Sequence, residues 1–214
     1  MEKPFWKIPL IKLRLFWASA DILPVCRIEC MAAAYKTQGN KEDQQKMNSP
    51  ADEAYPPAET GERDPCCAAL LYNDYAGSVS EFSAIARYLY QHFITAAKHP
   101  ELSEELRRIA MDEMRHLELI GELIVSFGGD PKLRCLERCS ERFWSGSFVN
   151  YGRDPRYFLT DDIKNEQKAV AAYRLRLCQL KNAPAKTLIE RIIQDELRHI
   201  EALRSRLAQL DDQQ

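Results

Sequence analysis

Two copies of one five-residue sequence, D-E-[ML]-R-H, lie in the second half of the chain. Glu113 and His116 belong to the first copy, and Glu196 and His199 belong to the second. A glutamate and a histidine three residues apart project from one face of a helix, about one turn from each other. Carboxylates and imidazoles are metal ligands, so the repeat indicates two related metal-binding positions.

A lone glutamate precedes each copy at nearly the same distance: Glu81 lies 32 residues before Glu113, and Glu166 lies 30 residues before Glu196. A series of Glu, Glu-x-x-His, Glu and Glu-x-x-His on four helices is what a dinuclear metal site inside a four-helix bundle requires. We therefore predict two metal ions with three ligands each. The ligands are Glu81, Glu113 and His116 for one ion, and Glu166, Glu196 and His199 for the other.

The four glutamates are predicted to point into the bundle, although most helical glutamates face water. Each lies about one turn from an apolar residue of its own helix, namely Ile85, Ile109, Val170 and Ile192. Four carboxylates buried together would each cost several kcal/mol unless cations neutralised them. Oxygen-rich ligation with one nitrogen per metal favours iron or manganese over structural zinc.

Charged residues inside each repeat are candidates for orienting the histidines. Asp112 and Asp195 precede the glutamates, and Arg115 and Arg198 precede the histidines. A metal-bound imidazole usually donates its remaining N–H to a carboxylate. We expect each aspartate to accept from the histidine of the opposite repeat and each arginine to hold the aspartate. Ordinary surface charges are the alternative interpretation.

Two tyrosines follow the lone glutamates by seven residues, about 10 Å along the same helical face. Tyr88 and Tyr173 could hydrogen-bond a carboxylate or supply an electron, and core packing is the alternative. Together with Glu113 and Glu196, the candidates for bridging the two ions, they are the candidate catalytic residues. We expect His92 to satisfy a helix end, with a role in proton or metal entry as the alternative.

Apolar periodicity predicts four helices that carry these residues, over 65–98, 101–127 and 155–181 and from the Asn182–Pro184 break to about residue 210. The first and second are joined by a short link, as are the third and fourth. The connection of some 25 residues between the second and third is too long for a hairpin turn. Two antiparallel hairpins and one long crossover make an all-α, ferritin-like four-helix bundle.

Residues 1–64 are predicted to be an N-terminal extension and linker, mostly disordered, before a bundle over 65–210. Residues 1–20 are apolar and basic, but charges interrupt every apolar run well before the roughly 18 residues of a membrane span. A membrane-surface amphipathic segment is the alternative. The polar, proline-containing composition of 36–64 predicts a flexible linker. We expect the first 47 residues to be dispensable for the metal site.

Composition narrows the functional classes. The formal net charge of −2, from 30 basic and 32 acidic residues, indicates no nucleic-acid partner. Seven cysteines contain no C-x-x-C pair, which excludes a zinc ribbon or a rubredoxin-type iron site. We expect reduced thiols in a cytoplasmic protein. A local redox pair at Cys135 and Cys139 is the alternative.

At these motifs the chain from about residue 65 to 210 resembles the ferritin-like superfamily, near the bacterioferritin and rubrerythrin group, with manganese catalases as more distant relatives. The six predicted ligands match the ligand set of that superfamily one for one. The resemblance implies a dinuclear iron or manganese oxidoreductase that acts on peroxide or dioxygen, catalase-like or ferroxidase-like, in a homo-oligomer. A metal-storage or structural coat protein with little turnover is the alternative.

Departures from these families narrow the expected reaction. Rubrerythrin peroxidases carry a further glutamate where this chain has Ala169, and a rubredoxin module for which this sequence has no cysteine pairs. A peroxidase fed by an internal electron carrier is therefore not expected. The first repeat also resembles the bacterioferritin sequence whose methionine binds haem, which makes Met114 a haem candidate. We expect an ordinary helix methionine there and two metal ions without haem.

Overall fold

The computed structural model describes residues 54–137 and 140–212, most of which form α-helices. The helices are α1 (Pro65–Ala76), α2 (Glu81–Thr95), α3 (Pro100–Ser126), α4 (Pro155–Gln179) and α5 (Ala183–Asp211). Two short antiparallel strands, β1 (Arg134–Glu137) and β2 (Ser140–Phe143), follow α3 in sequence. None of the helices in this part of the chain is long and apolar enough to cross a membrane.

Polar side chains, prolines and a glycine mark the helix ends. Asp64, Asp154 and Asn182 each accept a backbone N–H from the first turn of the helix that follows, and each of those helices has proline at its start. Gly128, at φ +83°, takes the left-handed conformation that commonly follows the end of a helix. The predicted bounds of α3, α4 and α5 are therefore correct to within two residues.

The prediction of one continuous first helix is wrong, because a break at Gly77–Ser80 separates α1 from α2. A Cβ atom on Gly77 would lie 2.5 Å from a backbone oxygen of the preceding turn, so the close approach requires glycine. Ser80 caps α2 by accepting the N–H of Ser83 at 3.3 Å. Serine side chains bond nearby backbone groups and favour caps over helix interiors. The break makes Glu81 the first residue of α2.

The bundle pairs α2 with α3 and α4 with α5, each pair joined by a short link. Two apolar clusters fill it at different heights. Along α3, residues of one cluster extend to Ala110, and residues of the other begin at Leu119. On α4, Leu159 belongs to the first cluster and Val170 to the second. The predicted ligands of α3 and α4 lie in the interval between the clusters.

The long crossover predicted between α3 and α4 contains the β1–β2 hairpin, which the sequence analysis did not predict. Asn73 of α1 bonds both backbone groups of Leu136, at 2.7 and 3.1 Å. Trp144 Nε1 donates to the Ser83 hydroxyl at 2.9 Å. The crossover is thereby attached to α1 and to the start of α2.

Residues 54–64, which we call the strap, have no helix or strand but make specific contacts with the bundle. The Thr60 N–H donates to Ser126 Oγ, and Asn182 Nδ2 donates to the Thr60 carbonyl, both at 2.9 Å. Ala58 and Thr60 are buried. The expectation of a flexible linker as far as Asp64 therefore does not hold for the strap.

Several predictions concern residues outside the described ranges. Residues 1–53 include the segment weighed as a membrane-surface helix and the 47 residues expected to be dispensable. Cys139 also lies outside, so the suggested redox pair stays a prediction. Cys66, Cys67 and Cys178 are free thiols.

Candidate metal centre

The structure brings all six predicted ligands together in the middle of the bundle, and none is more than 3% exposed. Two overlapping groups of side chains each place one ligand atom per residue within 4.8 Å of the others. The groups are Glu81, Glu113, His116 and Glu196, and Glu113, Glu166, Glu196 and His199. Glu113 and Glu196 belong to both groups.

Glu113 and Glu196 each present one carboxylate oxygen to each imidazole. Glu113 Oε2 lies 3.1 Å from His116 Nδ1, and Glu113 Oε1 lies 3.3 Å from His199 Nδ1. Glu196 Oε1 lies 3.3 Å from His116 Nδ1, and Glu196 Oε2 lies 3.4 Å from His199 Nδ1. This is the arrangement in which a carboxylate can bridge two ions, one beside each histidine.

Three buried ligand atoms have no hydrogen-bond partner within the described part of the chain: Glu113 Oε1, Glu196 Oε2 and His199 Nδ1. Buried polar atoms rarely lack a partner, and an unpartnered group costs free energy. All three atoms lie in the space between the carboxylates, where a cation would satisfy them. Four carboxylates and two imidazoles are also the donor set that iron and manganese accept, so the residues fit a dinuclear centre of these metals.

The pKa values of the clustered side chains reflect four carboxylates buried close together. Burial raises the pKa of Glu81 and Glu166 well above the usual value, and the Glu113 charge raises it further. Burial also acts to raise the pKa of Glu113 and Glu196, and the Glu113 charge adds to it at Glu196, but the nearby histidines outweigh these effects and lower the pKa of both glutamates. Burial lowers the pKa of the two histidines, yet the surrounding carboxylates raise it well above the usual value overall. The raised pKa values of the two histidines, Glu81 and Glu166 favour bound protons at the positions where cations would bind.

Each imidazole directs its other nitrogen to the aspartate of the opposite repeat, as expected. His116 Nε2 lies 3.3 Å from Asp195 Oδ2, and His199 Nε2 lies 3.3 Å from Asp112 Oδ2. These contacts orient the Nδ1 atoms toward the carboxylates. The two aspartates differ in environment, because the Asp195 side chain is fully buried and the Asp112 side chain is 48% exposed.

The arginines of the two repeats also differ. Arg198 pairs with Asp195 as expected, whereas among the residues that the structure describes Arg115 pairs with Glu118 and not with an aspartate. Arg191, one turn before Asp195, contacts it at 2.5 Å and was not identified from the sequence. Burial raises the pKa of Asp195, but the hydrogen bonds it receives outweigh that effect and lower the pKa overall.

Tyr88 is fully buried, and its hydroxyl donates to Glu166 of the opposite hairpin. Arg87 approaches the same carboxylate oxygen at 3.2 Å and pairs with Asp162 at 2.8 Å. Gln91 donates to Asp162 at 3.1 Å, and burial raises the Asp162 pKa to about 6. The sequence analysis missed Arg87, Gln91 and Asp162. The available signal was that Asp162 lies one turn before Glu166 on the same face.

A cavity of about 20 Å³ adjoins the cluster, and Tyr173, which is 2% exposed, lines it together with the four glutamates. Val79 and Ser80 of the α1–α2 break form one wall, and Asn165 and Ala169 of α4 form another. A volume of this size is about that of one water molecule. The break in the first predicted helix thus borders the space next to the ligands.

Two other candidate residues lie apart from the cluster. His92 Nδ1 is 2.9 Å from the Ser103 carbonyl oxygen and 2.8 Å from its hydroxyl, so His92 links the ends of α2 and α3 as expected. Met114 is 44% exposed on α3. Neither belongs to the two groups of clustered ligand atoms.

The family profile described as "Manganese containing catalase" matches residues 54–163, slightly more than half of the chain. A bacterioferritin of Desulfovibrio desulfuricans is 30% identical over 124 residues. That alignment covers 56% of this chain and 64% of the bacterioferritin, so the chain spans less than two thirds of that relative.

Solved structures of a manganese catalase and of a bacterioferritin have a fold similar to that of this chain. KatB, a manganese catalase from Anabaena, superposes with a TM-score of 0.66 and 22% identity, over 79% of this chain and 81% of KatB. The Desulfovibrio desulfuricans bacterioferritin superposes with a TM-score of 0.58 and 24% identity, over 69% of this chain and 81% of that chain. These similarities confirm the predicted ferritin-like bundle.

Proposed function

Because the chain belongs to the manganese-containing catalase family, we propose that it is an oxidoreductase with a dinuclear manganese or iron centre that acts on peroxide or dioxygen. The preferred reaction is dismutation of hydrogen peroxide to dioxygen and water. The observation that carries the proposal is the pair of glutamates, Glu113 and Glu196, that each present one oxygen to each histidine.

The six clustered side chains would hold the two ions. Glu113 and Glu196 would bridge them, Glu81 and His116 would complete one position, and Glu166 and His199 would complete the other. This list follows the two groups of ligand atoms that share both bridging candidates. When bound, the metal pair supplies a centre that accepts two electrons from one peroxide and returns them to another.

The roles of the remaining residues follow from their contacts. Tyr88 and Arg87 hold Glu166, so we assign Tyr88 to positioning a ligand rather than to reacting directly. Tyr173 lines the cavity beside the glutamates and would border the bound oxidant. Peroxide and dioxygen are close to water in size, so the small cavity favours such oxidants over larger substrates.

Dismutation also agrees with the electron balance. Oxidation of one hydrogen peroxide to dioxygen releases two electrons and two protons, and reduction of a second to two waters consumes both. No external reductant is needed, and this sequence contains no C-x-x-C pair for a rubredoxin-type electron carrier.

The bacterioferritin relative supports a second candidate, oxidation of Fe(II) by dioxygen or peroxide at the same centre. Both reactions need the same ligands. They differ in whether Fe(II) is a substrate that leaves the site, and a storage role would show metal uptake with little turnover.

Metal-free protein loaded with Mn(II) or with Fe(II) distinguishes these functions. We expect the manganese form to evolve one dioxygen for every two peroxides consumed, measured with an oxygen electrode. The E113Q variant should evolve no dioxygen. The E122Q variant, which changes an exposed glutamate of the same helix, should evolve dioxygen like wild type. Absent oxygen evolution together with repeated Fe(II) oxidation would favour the second candidate. Metal binding without either turnover would refute an enzymatic role.

We also propose that the chain assembles as a homo-oligomer. Met111, Met114 and Val125 are 44–56% exposed along α3, beside a groove that Tyr75 and Leu117 help to line. Light scattering on the purified protein should give a mass that is a multiple of 24.7 kDa. A mass of one chain at micromolar concentration would contradict this proposal.

A further inference from the structure

Tyr55 of the strap reaches the metal centre on the His116 side. Its hydroxyl donates to Asp195 Oδ2 at 2.7 Å, and the same oxygen faces His116 Nε2. Its ring meets the His116 imidazole edge-on, with centroids 6.1 Å apart and an interplanar angle of 78°. Tyr55 therefore contacts both members of this histidine–aspartate pair.

Two guanidinium groups hold the Tyr55 ring. The Cζ atom of Arg191 lies 4.5 Å from the ring centroid, and that of Arg115 lies 5.7 Å from it. Cations at these distances are attracted to the face of an aromatic ring. Five residues along the strap, Thr60 is bonded to both α3 and the start of α5. Side chain and backbone together fix the position of the Tyr55 hydroxyl.

We propose that Tyr55 is a positioning residue for His116 and acts through Asp195. By donating to the Asp195 carboxylate, Tyr55 keeps that acceptor aimed at His116 Nε2, which in turn keeps His116 Nδ1 aimed at the carboxylate cluster. The inference rests on the metal centre proposed above.

The other half of the centre provides an internal comparison. Among the described residues, no tyrosine hydrogen-bonds Asp112, the aspartate that faces His199, and the Asp112 side chain is 48% exposed. Loss of the Tyr55 hydroxyl should therefore affect one metal position and leave the other nearly unchanged.

A titration of metal-free protein with Co(II) tests this asymmetry, because the visible absorbance of Co(II) reports its coordination. Y55F keeps the ring and removes the hydroxyl. We expect one of the two Co(II) equivalents to bind about 10-fold more weakly, as is typical when an outer partner of a histidine is lost. Y90F is the matched control, because the Tyr90 hydroxyl donates one hydrogen bond to the Tyr151 carbonyl, at 3.1 Å. It should leave both equivalents unchanged.

A second measurement separates positioning from general stability. In the Co(II) protein each ligand histidine gives a paramagnetically shifted N–H proton resonance. Y55F should speed solvent exchange of one of these two protons, while urea unfolding of the metal-free protein stays near that of Y90F. If Y55F weakened the binding of both Co(II) equivalents equally, or of neither, the proposed role of Tyr55 would be wrong but the metal centre would stand. Wild-type protein that binds fewer than two Co(II) ions would overturn the metal centre as well.

Discussion

Replacing Glu81 by glutamine distinguishes a metal ligand from a structural carboxylate. Burial holds the Glu81 pKa well above its usual value, so burial favours the neutral form of this side chain in the metal-free protein. Glutamine has nearly the same shape and no charge. In the described part of the chain, Glu81 accepts no hydrogen bond from an arginine or a tyrosine that E81Q would lose. We expect the free energy of unfolding of metal-free E81Q to lie within about 1 kcal/mol of wild type.

The E81Q substitution should instead lower the stability of the metal-bound protein. Binding stabilises the fold by RT ln(1 + [L]/Kd), which is about 2.7 kcal/mol at a free metal concentration of 100 Kd. Loss of an outer partner of a ligand weakens affinity by up to about 100-fold, and loss of a ligand should cost at least as much. At the same metal concentration E81Q would then retain about RT ln 2, roughly 0.4 kcal/mol. The expected difference from wild type is about 2.3 kcal/mol.

Urea unfolding followed by far-ultraviolet circular dichroism measures both quantities, once with Mn(II) and once with a chelator. E122Q serves as the control, because Glu122 is an exposed glutamate of α3 outside the cluster. It should match wild type in both conditions. If E81Q lost several kcal/mol equally with and without metal, Glu81 would have a structural role, and the assignment as a ligand would be wrong.

Four further outcomes are expected. R87M should lower the free energy of unfolding of metal-free protein by about 3–5 kcal/mol at pH 7, because it leaves Asp162 buried without its cation, and R87M/D162L should recover part of that loss. The folded-state pKa of Asp162 is about 6, above its unfolded value, so the R87M loss should shrink in urea titrations as the pH falls below about 6, where folded Asp162 is protonated and carries no charge for Arg87 to neutralise. D112N should weaken Mn(II) affinity by about 10-fold in equilibrium dialysis, and unchanged affinity would remove Asp112 from an orienting role. A chain starting at Met47 should bind as much metal as the full chain, and loss of binding would show that the preceding residues are needed.

The predicted ligands could be read from the sequence because their spacing is set by helix geometry. Glu113 and His116 share one face of α3, and the repeat around Glu196 places a second pair on α5 in the same way. The starts of two helices can also be identified from the sequence. An Asp-Pro pair begins each of them, and Asp64 caps α1 while Asp154 caps α4. The sequence motifs alone could not decide between the related families, because the same ligand set binds both iron and manganese. Manganese catalases, placed as more distant relatives, are the family to which the chain belongs.

What the sequence did not reveal depends on contacts between segments distant along the chain. Tyr55 and Asp195 are 140 residues apart, and Arg87 and Glu166 are 79 apart. No periodicity connects such pairs. The α1–α2 break was missed for a different reason. Apolar residues on both sides of Gly77 fit one continuous helical pattern. The Ser80 side chain instead bonds the backbone at the start of α2, and apolar periodicity does not reveal such local side-chain-to-backbone bonds.

The two halves of the centre match in ligand type but differ in what holds them. On one side, Arg191, Arg198 and Tyr55 all contact Asp195 and so fix it and His116, whereas Glu81 lacks arginine and tyrosine donors within the described ranges. On the other side, Tyr88 and Arg87 fix Glu166, whereas the aspartate that faces the second histidine is half-exposed. Each ion would thus have one rigidly held terminal ligand and one loosely held. Glu81 also lies at the first turn of α2 and lines the cavity. Of the two terminal carboxylates, Glu81 is therefore the one less constrained from moving as the charge of the centre changes.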